Sequence, residues 1–386
     1  MANFNHLINR EGTNSVKYDL RKEVFGKADV IPMWVADMDF AMPPCVAEAL
    51  KERIEHGILG YSFRSEGFAE AITNWLQRRH GVSFDTSSVC FSPGIVSALV
   101  VLIEAFTGKT DKILIQPPVY HPFFEVPLQN QRQVIWNELV YEGRRYHMDF
   151  DKLAKQLKEV RMVILSNPHN PVSRAWTEEE LEKFGRLCLE NQVIVVSDEI
   201  HSDLMLGGHR HTPLIKACPE LAPYLITCYA PSKTFNLAGL STSAVLISNP
   251  SMREQYNQTL QRLHMQMGNV LGQVAFETAY RGGEAWLDEL LSYLNATVTS
   301  IEYRLSNEFP WLSMSEPEAT YLLWLDFRKL GFSAEVLNRK LIEECGLGLS
   351  RGDQFGPGGA GFMRMNIAAP RSVINEAFER LKLLKI

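Results

Sequence analysis

Short apolar runs punctuate the middle of this chain, each nearly continuous rather than alternating. They are KILIQ (Lys112 to Gln116), MVILS (Met162 to Ser166), VIVVS (Val193 to Ser197) and AVLIS (Ala244 to Ser248). Continuous β-branched runs of this length predict strands buried on both faces, as in a mostly parallel sheet. Longer stretches with helical periodicity separate them, including SALVVLIEAF and TEEELEKFGRLCLENQ. The second opens on Thr177 with Glu180 three residues on, the pattern of a capping box. Strands alternating with helices predict an α/β fold, a mostly parallel sheet flanked by helices.

The pattern changes after Gly283. Leu287, Leu290, Leu291, Leu294, Val298, Ile301 and Leu305 recur at helical spacing and predict one long amphipathic helix. Strands are expected at YLLWLDF and FMRMNIA, and helices at SAEVLNRKLIEEC and near Pro370 to Lys382. The expected organisation is a large domain over 45–283 and a smaller α+β domain built from 1–44 and 284–386. The hinge is placed near Gly282 and Gly283. No internal repeat or low-complexity segment interrupts this reading.

Composition narrows the classes. With 386 residues the chain can bury a large core, and 46% hydrophobic with 22% charged residues is the balance of an ordinary globular protein. The net charge is −6 and the lysines and arginines form no block, which argues against a nucleic-acid partner. No run approaches the roughly 18 apolar residues of a membrane span. The N-terminal residues lack the apolar core of a signal peptide. A cytoplasmic location is therefore expected. The six cysteines lie far apart, which favours free thiols over metal ligation or disulfides.

Candidate chemistry gathers around one lysine. Lys233 lies in APSKTFNLAGL, just after the apolar run LITCYAP. Asp198 ends VIVVS, where open α/β sheets place ligand groups. Asn170 lies between Pro168 and Pro171, which stiffen its loop. Tyr120 follows PPV after KILIQ. Gly94 separates a strand-like run from a helix whose first amides belong to Ile95 and Val96. Arg364 sits in the apolar FMRMNIA, where a buried guanidinium needs an anionic partner. Singly, each has a plainer reading: a turn aspartate, a loop asparagine, a packing tyrosine, a structural salt bridge. Together they are what pyridoxal phosphate requires. A lysine forms the Schiff base, a carboxylate meets the pyridine nitrogen, and a donor and an aromatic face meet the ring. Amides at a helix start take the phosphate, and a guanidinium fork takes a substrate carboxylate.

NPHNP, SDEIHSDL, SKTFNLAGL and FMRMNIAAPR resemble the signatures of fold-type I pyridoxal-phosphate enzymes of the aminotransferase superfamily. PMWVADMDFAMPP, GILGYSF and PPVYHPFFE are similar to its cystathionine β-lyase or C–S lyase branch, the MalY/PatB type. The resemblance runs over nearly the whole chain. It implies that Lys233 carries the cofactor and moves the substrate α-proton. Asp198 pairs with the pyridine nitrogen, Asn170 donates to the ring hydroxyl, and Tyr120 stacks on the ring. Ile95, Val96 and Ser232 bind the phosphate, and Tyr61 reaches the phosphate of a neighbouring subunit in a homodimer with shared sites. Arg364 holds the substrate carboxylate, helped by backbone near Val35 and Ala36. His201 either bonds the ring hydroxyl or lines the pocket.

Three positions depart from the aminotransferase pattern. His201 stands where a tyrosine is common, Ser241 where an arginine binds phosphate, and Ala230 where a serine is frequent. These departures fit the lyase branch. The expected reaction is β-elimination from L-cystathionine or a related cysteine S-conjugate, giving pyruvate, ammonia and a thiol, in amino-acid metabolism and methionine biosynthesis. The alternatives are an aminotransferase acting with a 2-oxo acid, and a lyase with an added regulatory protein-binding role.

Other motifs lack context. GPGGAG (Gly356 to Gly361) precedes a strand-like run and opens no helix, so it reads as a loop at the site mouth near Arg351 and Asp353 rather than a dinucleotide fingerprint. TGKT (Thr107 to Thr110) lacks the first glycine of a phosphate loop. His209 and His211 suggest a metal, but no ligand set completes them in the sequence, and none is expected.

Overall fold

The computed structural model describes residues 3–386. Seven strands form the central sheet: β1 (Val89–Ser92), β2 (Lys112–Ile115), β3 (Gln133–Trp136), β4 (Met162–Ser166), β5 (Ile194–Asp198), β6 (Leu225–Tyr229) and β7 (Ser243–Ile247). Their order across the sheet is β1-β7-β6-β5-β4-β2-β3. Neighbours from β3 to β6 run parallel, whereas β7 is antiparallel to both β6 and β1. Every residue of β4, β5, β6 and β7 is buried, as their continuous apolar runs require. This is the α/β architecture the sequence predicts, with helices such as Ile95–Phe106 and Glu178–Glu190 flanking the sheet. Thr177 and Glu180 close the predicted capping box in both directions.

Register decides where chemistry gathers. Ser166 of β4 pairs with Asp198 of β5, and Asp198 pairs with Cys228 of β6. The segments leaving these strands are the Asn167 to Pro171 turn, the loop after Asp198, and the short helix Pro231–Thr234. All three emerge side by side at the carboxyl edge of the sheet. Ser92, at the end of β1, pairs with Ser243 one residue before the Ala244–Tyr229 pair, so the Pro93–Gly94 turn opens on the same edge.

The second sheet is antiparallel and has four strands: β8 (Ser313–Met314), β9 (Leu322–Asp326), β10 (Ser350–Arg351) and β11 (Phe362–Asn366), in the order β8-β9-β11-β10. Arg364 lies opposite Trp324 on one side and Ser350 on the other. The helix Glu284–Glu308 follows Val270–Gly282 with only Gly283 between them, and it buries Leu287, Leu290, Leu294 and Ile301. The N-terminal stretch joins this part of the chain. Ile31–Pro32 pairs in parallel with Leu347–Gly348. Residues 34–40 then cross toward the carboxyl edge of the large sheet. Asn366 donates to the carbonyls of Val35 and Asp37, both at 2.6 Å. Asn236, three residues after Lys233, holds Met38 and Phe40. Buried Lys17 meets Asp39 at 2.8 Å, and Arg10 bridges Asp37 and Asp39. This strap closes the site from above.

Candidate active site

A cavity of about 240 Å³ opens at the carboxyl edge of the large sheet. It is lined by Ile95 and Val96, Tyr120, Asn170, Asp198 and His201, Ser232 and Lys233, together with Ala36 of the strap. A wider groove of about 800 Å³ adjoins it and shares Ala36, Tyr120 and Lys233. Its other walls include Val35, Phe124, Trp136, Phe355 and Arg364.

Lys233 stands on one helical turn, Pro231–Thr234, directly after β6. Its Nζ donates to the Ala36 carbonyl at 2.7 Å, and the Tyr321 hydroxyl donates to the same oxygen at 3.0 Å. Burial, joined by the charge of Arg364, lowers the amine to about 8, against the opposing pull of Asp37 and Asp198. An amine lowered that far has a minor but appreciable neutral population at neutral pH, and the neutral form is the nucleophile.

Asp198 is buried and receives the Ile200 amide at 3.1 Å. Burial raises its carboxyl to about 7, opposed by that amide and by Lys233. Such a carboxylate is short of a cationic partner, which a protonated pyridine supplies. His201 is equally buried, and its Nδ1 has no hydrogen-bond partner among the described residues. Burial first, and then the charges of Lys233 and Arg364, hold the imidazole neutral and lower it to about 3. A buried, unpartnered ring nitrogen on a cavity wall needs a ligand atom to satisfy it.

Asn170 and Arg364 meet across the two sheets. Arg364 Nη1 donates to Asn170 Oδ1 at 3.1 Å, while Nη2 donates to the Trp34 carbonyl at 2.8 Å. A guanidinium only donates, so it fixes the oxygen end of the amide and leaves the Asn170 NH₂ free to donate elsewhere. The guanidinium also stacks over Phe355 at 4.8 Å. Burial lowers it to about 10, with Tyr120 and Tyr321 pulling the other way. Its Nε has no partner. A buried arginine without a carboxylate of its own is disposed to take one from a ligand.

Gly94 caps the helix Ile95–Phe106 at φ 130°, a region side-chain-bearing residues rarely adopt. The first amides of that helix have no partners within it and line the cavity. Ser232, Ser241 and Thr242 line the same cavity. Aldehyde-capturing amine, carboxylate, aromatic face and helix-start amides thus share one enclosure, and the residues present fit pyridoxal phosphate.

Tyr61 is not brought to this cavity. It is fully exposed, on a segment without regular structure, beside Phe63, Arg64 and Met267. His209 and His211 part company. Buried His211 meets Glu199 at 2.9 Å, while the ligating atoms of His209, Glu316 and Glu318 lie within 4.8 Å of one another. The sequence does not reveal that second grouping. Arg145 and Arg174 already neutralise Glu318, at 2.5 and 2.6 Å. Gly356 and Pro357 of GPGGAG line the groove as loop residues, and Asp353 beside them is paired with Arg351 at the mouth. Sequence reasoning misses Tyr321, Asn366, Asn236 and Thr242. Tyr321 opens YLLWLDF and reads there as a core aromatic; nothing in its neighbours announces a hydroxyl aimed at Ala36.

Comparison with known proteins agrees with this geometry. The family model "Aminotransferase class I and II" matches residues 28–381. The chain is 44% identical to cystathionine beta-lyase PatB of Bacillus subtilis (strain 168), covering 98% of this chain and 99% of that protein. Cystalysin from Treponema denticola, whose crystal structure contains a pyridoxal 5'-phosphate cofactor, superposes with a TM-score of 0.96 at 33% identity, over 99% of this chain and 98% of that one. The PLP-bound C-S lyase from Staphylococcus hominis gives 0.92 at 34% identity, over 100% and 99%.

Proposed function

The chain belongs to the class I and II aminotransferase family, and from that premise we propose that it is a pyridoxal 5'-phosphate-dependent carbon–sulfur β-lyase. Its substrate is L-cystathionine or a related cysteine S-conjugate. The observation that carries the reading is the cavity that gathers Lys233, Asp198 and Asn170 at one sheet edge, with Arg364 of the second sheet reaching Asn170, in a chain 44% identical over nearly its full length to a cystathionine beta-lyase.

When bound, the cofactor supplies an aldehyde for amines and an electron-withdrawing pyridine ring. Everything else is the work of this chain. Lys233 would hold the cofactor through its amine and, with that amine free, would take the proton from the substrate Cα. Asp198 keeps a proton on the pyridine nitrogen, which maintains the electron demand. The free amide hydrogens of Asn170 would donate to the ring hydroxyl, and His201 would either bond that hydroxyl or line the pocket. Tyr120 covers the ring. The amides of Ile95 and Val96, with Ser232, take the phosphate. Arg364 forks onto the substrate carboxylate, and Val35 and Ala36 wall the groove beside it. The bond from Cβ to sulfur then breaks, the thiolate leaves with the electron pair, and water completes the conversion to pyruvate and ammonia. From cystathionine the thiol is homocysteine, a precursor of methionine.

Tyr61 lies fully exposed and outside the cavity in the single chain, which supports a homodimer in which it reaches the partner's phosphate. Six free cysteines suit a reducing, cytoplasmic setting. An aminotransferase shares the lysine, aspartate, asparagine and arginine named here and is the second reading. Ser241 and Ala230 weigh against it, because they stand where that branch carries extra phosphate-binding side chains. The direct test is Lys233→Ala. The purified variant loses both the borohydride-fixable link between chain and cofactor and all pyruvate release from L-cystathionine. Retention of either would refute the assignment of the lysine.

A further inference from the structure

Lys233 needs more than its own helix to hold its place. One turn of four residues has almost no intrinsic rigidity, since helix formation costs most at the first turn. Its neighbour Thr234 is buried and points away from the cavity. The Thr234 hydroxyl donates to Asp203 Oδ2 at 2.8 Å. Asp203 Oδ1 receives the indole of Trp75 at 3.0 Å and faces His80 Nε2 at 2.9 Å. Trp75 and His80 belong to the long helix Glu66–His80, whose Phe68, Ile72 and Leu76 are core residues. Burial opposes ionisation of Asp203, yet His80, Thr234 and Trp75 hold its carboxyl below the ordinary range.

Asp203 also closes the loop that begins at Asp198. Two turns shape that loop: the Ser202 amide donates to the Glu199 carbonyl, and the Leu204 amide to His201. One loop therefore carries Asp198 and His201 on the cavity side and Asp203 on the lysine's helix.

We propose that Asp203 is a positioning residue for Lys233, anchoring the lysine's single helical turn through Thr234 to the rigid Glu66–His80 helix. The inference rests on the reading of Lys233 as the cofactor lysine. It assigns no contact between Asp203 and substrate or cofactor. The anchor sets where the amine stands when it takes the cofactor and when it moves the α-proton. Displacement of a catalytic group by about 1 Å costs up to about a hundredfold in rate.

The test uses Thr234→Val, which keeps shape and loses the hydroxyl, Thr234→Ser, which keeps the hydroxyl, and Asp203→Asn. Two quantities are read in the full chain. One is the rate at which Lys233, freed of cofactor and resupplied with pyridoxal phosphate, becomes fixable by borohydride, measured by mass spectrometry of its peptide. The other is the division of the elimination defect between kcat and KM. Thr234→Val slows Lys233 capture and kcat by about tenfold or more while KM stays within about twofold. Thr234→Ser returns both rates to within about threefold of wild type. Asp203→Asn behaves like Thr234→Val. Wild-type rates in Thr234→Val would overturn the proposal. So would equal damage by Ser and Val, which would mark packing instead of the hydroxyl. Absence of a Lys233-linked cofactor in the wild type itself would overturn the parent reading instead.

Discussion

The amine of Lys233 and the carbonyl oxygen of Ala36 stand 2.7 Å apart, although nearly 200 residues separate them in the chain. A carbonyl oxygen can only accept, so the amine donates to it in either protonation state. Tyr321 fixes that carbonyl from the second sheet, and Asn366 and Asn236 secure the strap on either side. The catalytic amine therefore has a defined resting atom whenever it is not bonded to cofactor.

That setting gives cofactor capture a particular pH dependence. Lys233 is lowered from its ordinary value to about 8, mainly by burial and then by the charge of Arg364. The neutral amine attacks the aldehyde, so the capture rate rises with pH through a midpoint near pH 8 rather than above 10 and levels off beyond it. Arg364→Gln removes the neighbouring positive charge and moves the midpoint upward. Stopped-flow absorbance of full-length protein mixed with pyridoxal phosphate across pH 6 to 10 measures both.

Asp198 gives the stability of the cofactor-free chain a pH dependence of its own. Burial raises its carboxyl to about 7, so the folded chain keeps a proton that the unfolded chain releases near the ordinary value of about 4. In protein stripped of cofactor, this group lowers stability progressively as pH rises from about 4 to about 7, and the loss persists above that range. Asp198→Asn escapes it. Thermal denaturation at pH 8 without cofactor shows the variant at least as stable as wild type. Added pyridoxal phosphate raises the wild-type midpoint more, because only the carboxylate pairs with a pyridinium. A variant stabilised equally by the cofactor would contradict the pairing.

Arg364→Lys tests the carboxylate fork. Lysine keeps the charge but cannot bridge Asn170 and a substrate carboxylate with planar donors. The elimination kcat/KM falls by roughly tenfold to a hundredfold, chiefly through KM, while cofactor colour is retained. Steady-state kinetics with L-cystathionine measure it.

Shared sites predict complementation. Tyr61→Ala and Lys233→Ala chains are each impaired alone. Co-expressed, they form mixed dimers with one site that has both native residues, restoring about a quarter of wild-type activity at random pairing. Sedimentation and activity of the purified mixture check this. Independent sites would give no recovery.

Much of the central sheet was legible because burial on both faces writes itself as unbroken apolar runs. Met162 to Ser166 forms a strand as predicted, and Ile194–Asp198 is shifted by one residue from its predicted span. That shift puts Asp198 inside the strand and in register with Ser166 and Cys228. The candidate site was legible where one residue type announces chemistry in a recognisable flank, as with Lys233, Asp198 and Arg364. It was not legible where function is shared through tertiary hydrogen bonds. Thr234 and Asp203 lie inside quoted motifs, yet only the fold shows that one holds the other. Tyr61 poses a different problem, because the environment proposed for it belongs to a second chain.

The central claim is elimination rather than amino transfer, and product balance decides it most directly. Purified holoenzyme is incubated with L-cystathionine, and pyruvate, ammonia and free thiol are quantified over time with and without a 2-oxo acid. Equal amounts of all three, formed continuously without the 2-oxo acid and unchanged by it, are the predicted result. Turnover that stops after about one equivalent per site and resumes only when the 2-oxo acid is added, as a ping-pong amino transfer requires, would contradict it.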